Sequence, residues 1–254
     1  MVRYAITFGE TAILHVGSKE LGKIRENGFS VKELENIKNN IGENAELVIL
    51  SDKLPEKLRN ENEAAVLIIR NGVDLILGKN RTKKLLKEQQ KIDYDKKYFD
   101  NRRQKTLNKR ARYNIVFGEE EVKASEDYKV FSIKSFKSLK YLNKLRNKLS
   151  SILGNKANNL NAEGNFYFEE NSGIGFHGDA ERKIVICLSL GDSSILRYCW
   201  RMPGTSDHYG ENIDVKVNNG DIYIMSEKAT GYDWKKRSKV RIVHAAGSDK
   251  YILK

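Results

Sequence analysis

The sequence predicts an α+β protein, and two patterns of apolar residues support this fold class. Ser135–Leu153 repeats apolar residues at the spacing of an amphipathic helix and is followed by Gly154, a residue typical of a helix C-terminus. Beyond it, apolar residues alternate with a period of two, in eight short segments separated by turn residues. One supporting helix and eight strands predict a double-sheet jelly roll, or double-stranded β-helix, in residues 113–254. The predicted strands are Asn165–Phe168, Gly173–His177, Lys183–Leu190, Ser194–Trp200, Asn212–Val217, Asp221–Met225, Lys239–Ala246 and Lys250–Leu253.

Residues 1–78 predict a small N-terminal α/β module of unknown role. Its helix begins at the capping box Ser30-Val-Lys-Glu33 and ends at Gly42. Asn71-Gly72 is typical of a two-residue hairpin turn, so a strand is predicted on each side of it. The predicted strands of this module are Val2–Phe8, Glu46–Leu50, Ala64–Ile69 and Val73–Leu77.

Residues 79–112 form a predicted basic connector, helical from Thr82 to about Ile92. The chain carries a net charge of +12, and this segment holds fourteen Lys and Arg against four Asp and Glu. Such a segment attracts phosphate backbones by counterion release, and the interleaved Tyr94, Tyr98 and Phe99 could stack on bases. The connector therefore predicts a nucleic-acid partner. The alternative is a solvated helix and linker between two domains.

Two segments of the chain echo one another. Arg3–Glu10 and Arg112–Glu119 are identical at six of eight positions. The similarity is too short to define a repeat. It indicates either two strands in equivalent positions or a shared solution to a strand followed by a turn.

The composition indicates a soluble intracellular protein, cytoplasmic or nuclear. Cys187 and Cys199 match no zinc-binding spacing and are interpreted as reduced thiols. The longest apolar run, Ala64–Ile69, is far too short to span a bilayer, and the charged N-terminus does not resemble a signal peptide. No membrane association is expected, and the sequence does not indicate an oligomeric state.

The clearest chemical signal is the pair His177 and Asp179, separated by one glycine. Residues two apart on a strand project from the same face with Cα atoms roughly 6–7 Å apart, so both side chains can reach one metal ion. His244 lies in a predicted strand and shares parity with its apolar residues. Two histidines and one carboxylate are the usual ligands of non-haem Fe(II) oxygenases. These three residues are the predicted metal ligands, and His208, in a polar loop, is the weaker alternative.

The part of the chain from Asn165 to Lys254 resembles the AlkB-like branch of the Fe(II)/2-oxoglutarate-dependent oxygenases. The residues that carry the resemblance are Asn165-Phe-Tyr167, Gly173–Glu181, Ile186–Gly191 and Asn219–Met225. The resemblance implies Fe(II) as cofactor, with 2-oxoglutarate and O2 as co-substrates. It also implies that Asn165 and Tyr167 contact 2-oxoglutarate and that Glu181 lines the substrate pocket beside Arg182.

Two positions of the family pattern differ in this chain. The family places two arginines six residues apart on the strand after the distal histidine, and no arginine follows His244 here. Lys254 stands at the spacing where prolyl-hydroxylase relatives place a clamping lysine, and Lys250 shares its parity. These two lysines are therefore the expected 2-oxoglutarate contacts. A different gapping would put Asp233 in place of His244, but imidazole is the better-supported iron ligand.

The predicted function is an Fe(II)- and 2-oxoglutarate-dependent dioxygenase that hydroxylates or demethylates nucleic acid. The lysine ten residues after His244 leaves a protein side-chain hydroxylase, of the prolyl or lysyl type, as an alternative. The missing arginines leave a third possibility, a nucleic-acid-binding scaffold without turnover. Ordinary structural roles also stay open: a surface ion pair for Glu181 and Arg182, and a core position for Trp234.

Overall fold

The computed structural model describes residues 2–13 and 21–253. The strands before residue 113 are β1 (Arg3–Gly9), β2 (Thr11–Ala12), β3 (Leu21–Gly22), β4 (Ala45–Ile49), β5 (Ala65–Ile69), β6 (Lys97–Asp100) and β7 (Lys105–Asn108). The helices there are α1 (Val31–Ile41), α2 (Glu56–Arg59), α3 (Gly72–Leu77) and α4 (Arg81–Gln89). The predicted capping box starts α1, because the side chains of Ser30 and Glu33 each accept a hydrogen bond from the other residue's backbone N–H.

The remainder of the chain is dominated by strands. They are β8 (Tyr113–Gly118), β9 (Ile133–Ser135), β10 (Asn161–Tyr167), β11 (Gly173–His177), β12 (Val185–Gly191), β13 (Ser194–Arg201), β14 (Tyr209–Val217), β15 (Ile222–Met225) and β16 (Arg241–Gly247). The helices are α5 (Lys140–Leu153) and α6 (Asp249–Ile252). The predicted apolar stripe of α5 is buried, with Leu142, Leu145 and Leu149 fully enclosed. Seven of the eight strands predicted after residue 164 are present within a few residues of their expected bounds.

Two sheets organise these strands. The larger contains β4, β5, β15, β12, β1, β10, β8 and β9 in that spatial order, and only the pair β8–β9 is parallel. The smaller contains β11, β16, β13 and β14, all antiparallel. The hairpins β2–β3 and β6–β7 pair separately. The structure thus confirms a mixed α+β fold built mainly from antiparallel strands.

The strand β1 lies in the middle of the large sheet. It pairs with β10, where Arg3 faces Tyr167, and with β12, where Arg3 faces Gly191. On the far side of β12, β15 pairs with β5. The first 78 residues therefore share one sheet with strands from residues 113–254. The predicted boundary at residue 78 therefore does not separate two sheets, because local apolar periodicity does not report which distant strand is the partner.

Two apolar cores lie on opposite faces of the large sheet. Tyr4, Ile6 and Phe8 of β1 belong to an outer core, which α1, α3, α4 and α5 cover. An inner core between the two sheets includes Cys187 from the large sheet and Trp200 from the small one. The odd-numbered residues of β1 face inward, as the two-residue period of a strand requires.

The echoed segments form strands on the two sides of β10. Tyr4 of β1 and Tyr113 of β8 both stand opposite Phe166. The Tyr4 and Phe166 rings stack with centroids 4.5 Å apart, and the Tyr113 ring meets Phe166 edge-on at 6.2 Å. The interpretation of two strands in equivalent positions is therefore confirmed.

Two predicted strands are helices. Val73–Leu77 belongs to α3, because Asn71 adopts a left-handed conformation and the Asp221 carboxylate accepts its N–H at 2.9 Å. An apolar run of this length does not distinguish a strand from a buried helix. Lys250–Leu253 lies mostly in α6, which buries Ile252. The strand that pairs with both β10 and β12 in the large sheet is β1.

The basic connector is more structured than a linker. It contains α4, as predicted, and the hairpin β6–β7. Leu85 of α4 is buried in the outer core, so this helix packs on the face of the large sheet that points away from the small sheet. Among the described residues, no helix combines the length and apolarity needed to cross a bilayer.

The central position of β1 generates the first prediction. Ile6 is fully buried, so Ile6→Ala should lower the free energy of unfolding by about 2–5 kcal/mol. Both tryptophans lie beyond residue 199, and their fluorescence should report this loss in a single transition during denaturant unfolding. Leu75→Ala, at a half-exposed position, should change the free energy by less than about 0.5 kcal/mol. A tryptophan transition that is unaffected by Ile6→Ala would mean that residues 1–78 fold independently.

Candidate metal centre and cavity

The three predicted metal ligands come together. His177 ends β11, and His244 lies directly opposite it on β16, with ring centroids 4.5 Å apart. Asp179 follows in the turn, and one ligating atom from each of the three residues lies within 4.8 Å of the others. Antiparallel pairing of neighbouring strands holds the histidines together, and the H-x-D spacing brings the carboxylate to the same side.

Hydrogen bonds to the backbone orient this group. The Nδ1 of His177 lies 2.8 Å from the Gly175 carbonyl oxygen, so Nδ1 carries the proton and Nε2 is free toward Asp179 Oδ1, 3.7 Å away. The Asp179 N–H donates to the Thr230 carbonyl at 2.9 Å. Gly178 is required between them, because a Cβ there would lie 2.2 Å from the Gly231 carbonyl oxygen. Such outer contacts are what position metal ligands in proteins.

His244 has the properties of a ligand that binds as a neutral imidazole. Its burial, and then the nearby His177, lower its pKa well below the ordinary value, so the ring is uncharged near neutral pH. The buried Nδ1 atom has no hydrogen-bond partner among the described residues. A buried ring nitrogen without a partner is costly unless a ligand supplies one. The donor set and this nitrogen fit a divalent transition metal that accepts imidazole and carboxylate ligands.

A cavity of about 500 Å³ opens beside these residues, between the two sheets. The small sheet contributes His177 and His244 to its wall. Asn165 and Tyr167 come from β10 of the large sheet, so two of the four predicted 2-oxoglutarate contacts line the same cavity as the predicted metal ligands. The sequence signal was the Asn165-Phe-Tyr167 motif of the resemblance, and the two-residue period of β10 points both side chains inward.

The cavity also contains two arginines that the sequence interpretation missed. Arg3 is 3% exposed, and its guanidinium carbon lies 4.1 Å from the centroid of the Tyr167 ring. The Nε atom of Arg3 has no hydrogen-bond partner in the described part of the chain, and no described carboxylate forms an ion pair with it. Arg112 donates from Nε to Asn165 Oδ1 at 2.6 Å. The sequence signal for these two arginines was the similarity between Arg3–Glu10 and Arg112–Glu119. Arg3 and Arg112 are the first residues of the two similar segments, whose strands flank β10.

Arg182 does not form the surface pair that was the ordinary alternative. It is 2% exposed, and its Nη2 atom donates to Glu163 at 3.0 Å and to Glu181 at 2.8 Å. Burial disfavours the charged guanidinium, but Asp179, Glu163 and Glu181 outweigh this effect and raise the pKa. All four residues line the cavity, which is consistent with the predicted pocket position of Glu181 and Arg182.

The predicted lysine contacts are not supported. Lys250 lies on α6 and lines a separate pocket with residues such as Glu170 and Lys216. The prediction for Lys250 is wrong because this segment is helical and does not enter the large sheet. Lys254 lies outside the described residues.

The alternative ligands, His208 and Asp233, are not part of the converging group. His208 is exposed, and its ring meets Phe176 edge-on at 4.5 Å. Asp233 forms an ion pair with Lys228 at 2.7 Å. Trp234 is only partly buried and lines the cavity, so it does not take the core position that was left open for it.

Comparison with known proteins gives one extensive match. The chain is 38% identical over 252 residues to an uncharacterized protein of Acanthamoeba polyphaga mimivirus. The match covers 97% of this chain and 96% of the mimivirus protein. No family model matches the chain.

The converging side chains generate the second prediction. His177→Ala, Asp179→Ala and His244→Ala should each weaken binding of Fe(II), or of Mn(II) as a stable substitute, by more than about 100-fold, because each removes one of three ligands. Anaerobic calorimetry would measure the affinity. His208→Ala is the matched control and should bind like the wild type. Equal loss in His208→Ala, or none in Asp179→Ala, would contradict the assignment.

Proposed function

This chain belongs to the same family as the uncharacterized mimivirus protein, and we propose that it is an Fe(II)- and 2-oxoglutarate-dependent dioxygenase acting on nucleic acid. The observation that carries the proposal is the convergence of His177, Asp179 and His244 at the wall of a cavity between two sheets. Two imidazoles and one carboxylate leave further positions on an Fe(II) ion open to other ligands. With iron bound, O2 would convert 2-oxoglutarate to succinate and CO2 while a substrate C–H bond becomes C–OH.

The order of the strands supports a jelly roll. From β10 the chain alternates between sheets: β10, β12 and β15 lie in the large sheet, and β11, the pair β13–β14 and β16 lie in the small one. An eight-stranded jelly roll needs one more strand in the large sheet, between β10 and β12. That position is taken by β1, from the opposite end of the chain. We infer that β1 substitutes for the last strand of the resembled fold.

This substitution accounts for the missing arginines. In the resembled family the clamping arginines stand on the last strand, six residues apart. Here Arg3 is on the strand that takes its place, lines the cavity and has no carboxylate partner among the described residues. A buried guanidinium without an anion is unfavourable, so a carboxylate of 2-oxoglutarate would complete its pairing. Asn165, Tyr167 and Arg112 surround the same position.

The place of the second arginine of the pattern is taken by the side chain of Arg182, which lies shortly before β12. Six residues after Arg3 stands Gly9, where a Cβ would lie 2.8 Å from the Ile184 carbonyl oxygen and 3.1 Å from Cδ of Arg182. The aliphatic stem of Arg182 therefore crosses the position where a side chain at residue 9 would begin. Its guanidinium is held by Glu163 and Glu181 and lies in the cavity. Arg182 thus fills the space that a side chain at residue 9 would take, and its charge is already paired with Glu163 and Glu181.

The chain's own residues prepare the reaction site. His177 and Asp179 are held by backbone hydrogen bonds, so little reorganisation accompanies metal binding. Asn165 is fixed by Arg112 and donates to Glu163 at 3.2 Å. The location between two packed sheets limits the access of water, which strengthens the pairing of Arg3 with an anion.

The co-substrate assignment generates the third prediction. Arg3→Gln should raise the Kd for 2-oxoglutarate on the Mn(II)-loaded protein by about 10-fold or more, because a charge-assisted hydrogen bond contributes about 1.5–3 kcal/mol. Manganese affinity should be unchanged, since Arg3 contacts no predicted ligand. Arg103→Gln, at an exposed arginine, is the matched control. An unchanged Kd for 2-oxoglutarate in Arg3→Gln would refute the assignment.

The substrate class is supported by the basic connector, and the fourth prediction tests it. Arg102→Glu/Arg103→Glu, on the exposed tip of the β6–β7 hairpin, should weaken binding to nucleic acid uniformly across sequences. The slope of log K against log salt should become shallower by up to about 0.9 per lost phosphate contact. Lys109 is left unchanged because burial lowers its pKa to about 8. The control is Lys144→Glu/Lys148→Glu, the same charge change on exposed positions of α5.

Turnover distinguishes the proposed function from its alternatives. Iron-dependent succinate formation that rises with methylated oligonucleotides would support the proposal. A rise with peptides would favour a protein hydroxylase. Metal and nucleic-acid binding without succinate formation would leave a scaffold.

A further inference from the structure

A second basic segment lies at the cavity and is separate from the connector. Trp234–Lys239 reads Trp-Lys-Lys-Arg-Ser-Lys, and its four cationic side chains are all exposed. None of the four forms an ion pair with a described carboxylate; the one polar side-chain contact found is from Arg237 to the Gly204 carbonyl. Trp234 and Lys235 both line the cavity. The positive charge therefore begins at the edge of the site.

The loop is fixed to the predicted metal ligands. The Thr230 carbonyl accepts the Asp179 N–H at 2.9 Å. A Cβ on Gly178 would lie 2.7 Å from Cδ1 of Trp234, so the indole packs directly against the residue between His177 and Asp179. From the other side, Arg241 donates to the Trp234 carbonyl at 3.4 Å. The distance from Trp234 to the metal ligands is thus set by the fold.

The two tryptophans of the chain have different environments. Trp200 is fully buried in the inner core, and its Nε1 donates to the Leu50 carbonyl at 2.9 Å. Trp234 is partly exposed toward the cavity, and the ammonium of Lys235 lies 5.7 Å from its ring centroid. An indole face beside unpaired cations is the combination that binds single-stranded nucleic acid, with stacking on a base and charge on its phosphates.

We propose that the Trp234–Lys239 loop docks the substrate: Trp234 stacks on one base of a single strand, and the cations bind the flanking phosphates. The proposal rests on the proposed function in treating this cavity as the reaction site. A single strand is favoured because a base inside a duplex has no free face for the indole. The connector helix α4 lies on the outer face of the large sheet, so its basic side chains would contact a different part of a nucleic acid from the part bound at the cavity.

Intrinsic fluorescence tests the docking directly. A single-stranded oligonucleotide of mixed sequence, titrated into the full chain without metal or 2-oxoglutarate, should quench tryptophan emission. In Trp234→Leu the remaining emission, from buried Trp200, should be unaffected. Anisotropy of a labelled oligonucleotide should show a Kd raised about 5- to 100-fold in this variant, the range expected for loss of one base–aromatic stack.

Charge variants provide a second measurement. Lys236→Glu/Lys239→Glu should weaken both quenching and affinity. The matched change on exposed positions of α5, Lys144→Glu/Lys148→Glu, should leave both quenching and affinity intact. Thermal unfolding of each variant confirms that it is folded.

Three results would overturn the proposal. They are oligonucleotide binding without quenching in the wild type, equal affinity in Trp234→Leu, and stronger quenching by an acidic peptide of matched charge, which would indicate a peptide substrate. Because the assay contains no metal, its failure is distinguishable from failure of the oxygenase activity. Succinate formation with unquenched Trp234 would contradict the docking alone, and quenching without turnover would contradict the proposed function alone.

Discussion

The insertion of β1 between β10 and β12 is the constraint on which the rest of the structure depends. All seven residues of β1 pair with β10, and six of them also pair with β12. Without β1, two inner strands would each expose an unpaired edge, and buried backbone groups without partners are expensive. The sheet that carries one wall of the cavity is therefore complete only when the first residues of the chain meet residues more than 150 positions away.

The same strand separates two chemical environments. Its even-numbered residues enter an apolar core under four helices, and its odd-numbered residues place Arg3, Ala5 and Thr7 in the cavity. Arg3 and Arg182 are both buried, but only Arg182 has carboxylate partners among the described residues. Because a buried charge must be compensated, the two arginines have different roles. Arg182 forms part of an internal network, whereas Arg3 is available to an anion that enters the cavity.

Local sequence patterns were sufficient to predict features that depend on neighbouring residues alone. The capping box before α1, the stripe of α5 and the bounds of β11 follow from spacing alone. The grouping of His177, Asp179 and His244 was predicted from the H-x-D spacing, the parity of His244 and the usual ligand set of non-haem Fe(II) oxygenases. What could not be predicted was the pairing of distant segments. Arg3 belongs to one of the two similar segments, Arg3–Glu10 and Arg112–Glu119. Their similarity is explained only by β1 and β8 flanking β10, and this pairing of distant strands cannot be read from any local stretch of sequence.

The two segments that were predicted as strands but are helices also depend on distant parts of the chain. The apolar run in α3 fits a strand or a buried helix equally well, and a hydrogen bond from Asn71 to the distant Asp221 accompanies the turn into the helix. The segment containing Lys250 was one of eight strands predicted from a period of two, and the eight strands in turn predicted a jelly roll. That segment forms α6 instead, and the place between β10 and β12 is taken by β1 from the other end of the chain. Lys250 lines a separate pocket.

The two halves of the proposed site lie on different sheets. The side chains that would hold iron belong to β11, the turn after it and β16, all on the side of the small sheet. Arg3, Asn165 and Tyr167 belong to the large sheet. A short dicarboxylate with one end on the metal and the other on Arg3 would therefore bridge the sheets. Such a ligand requires both a metal and a cation at a fixed separation, and that separation is maintained by the inner core around Trp200 and Cys187. Selectivity for a dicarboxylate would thus arise from the packing between the sheets as much as from the residues that contact it.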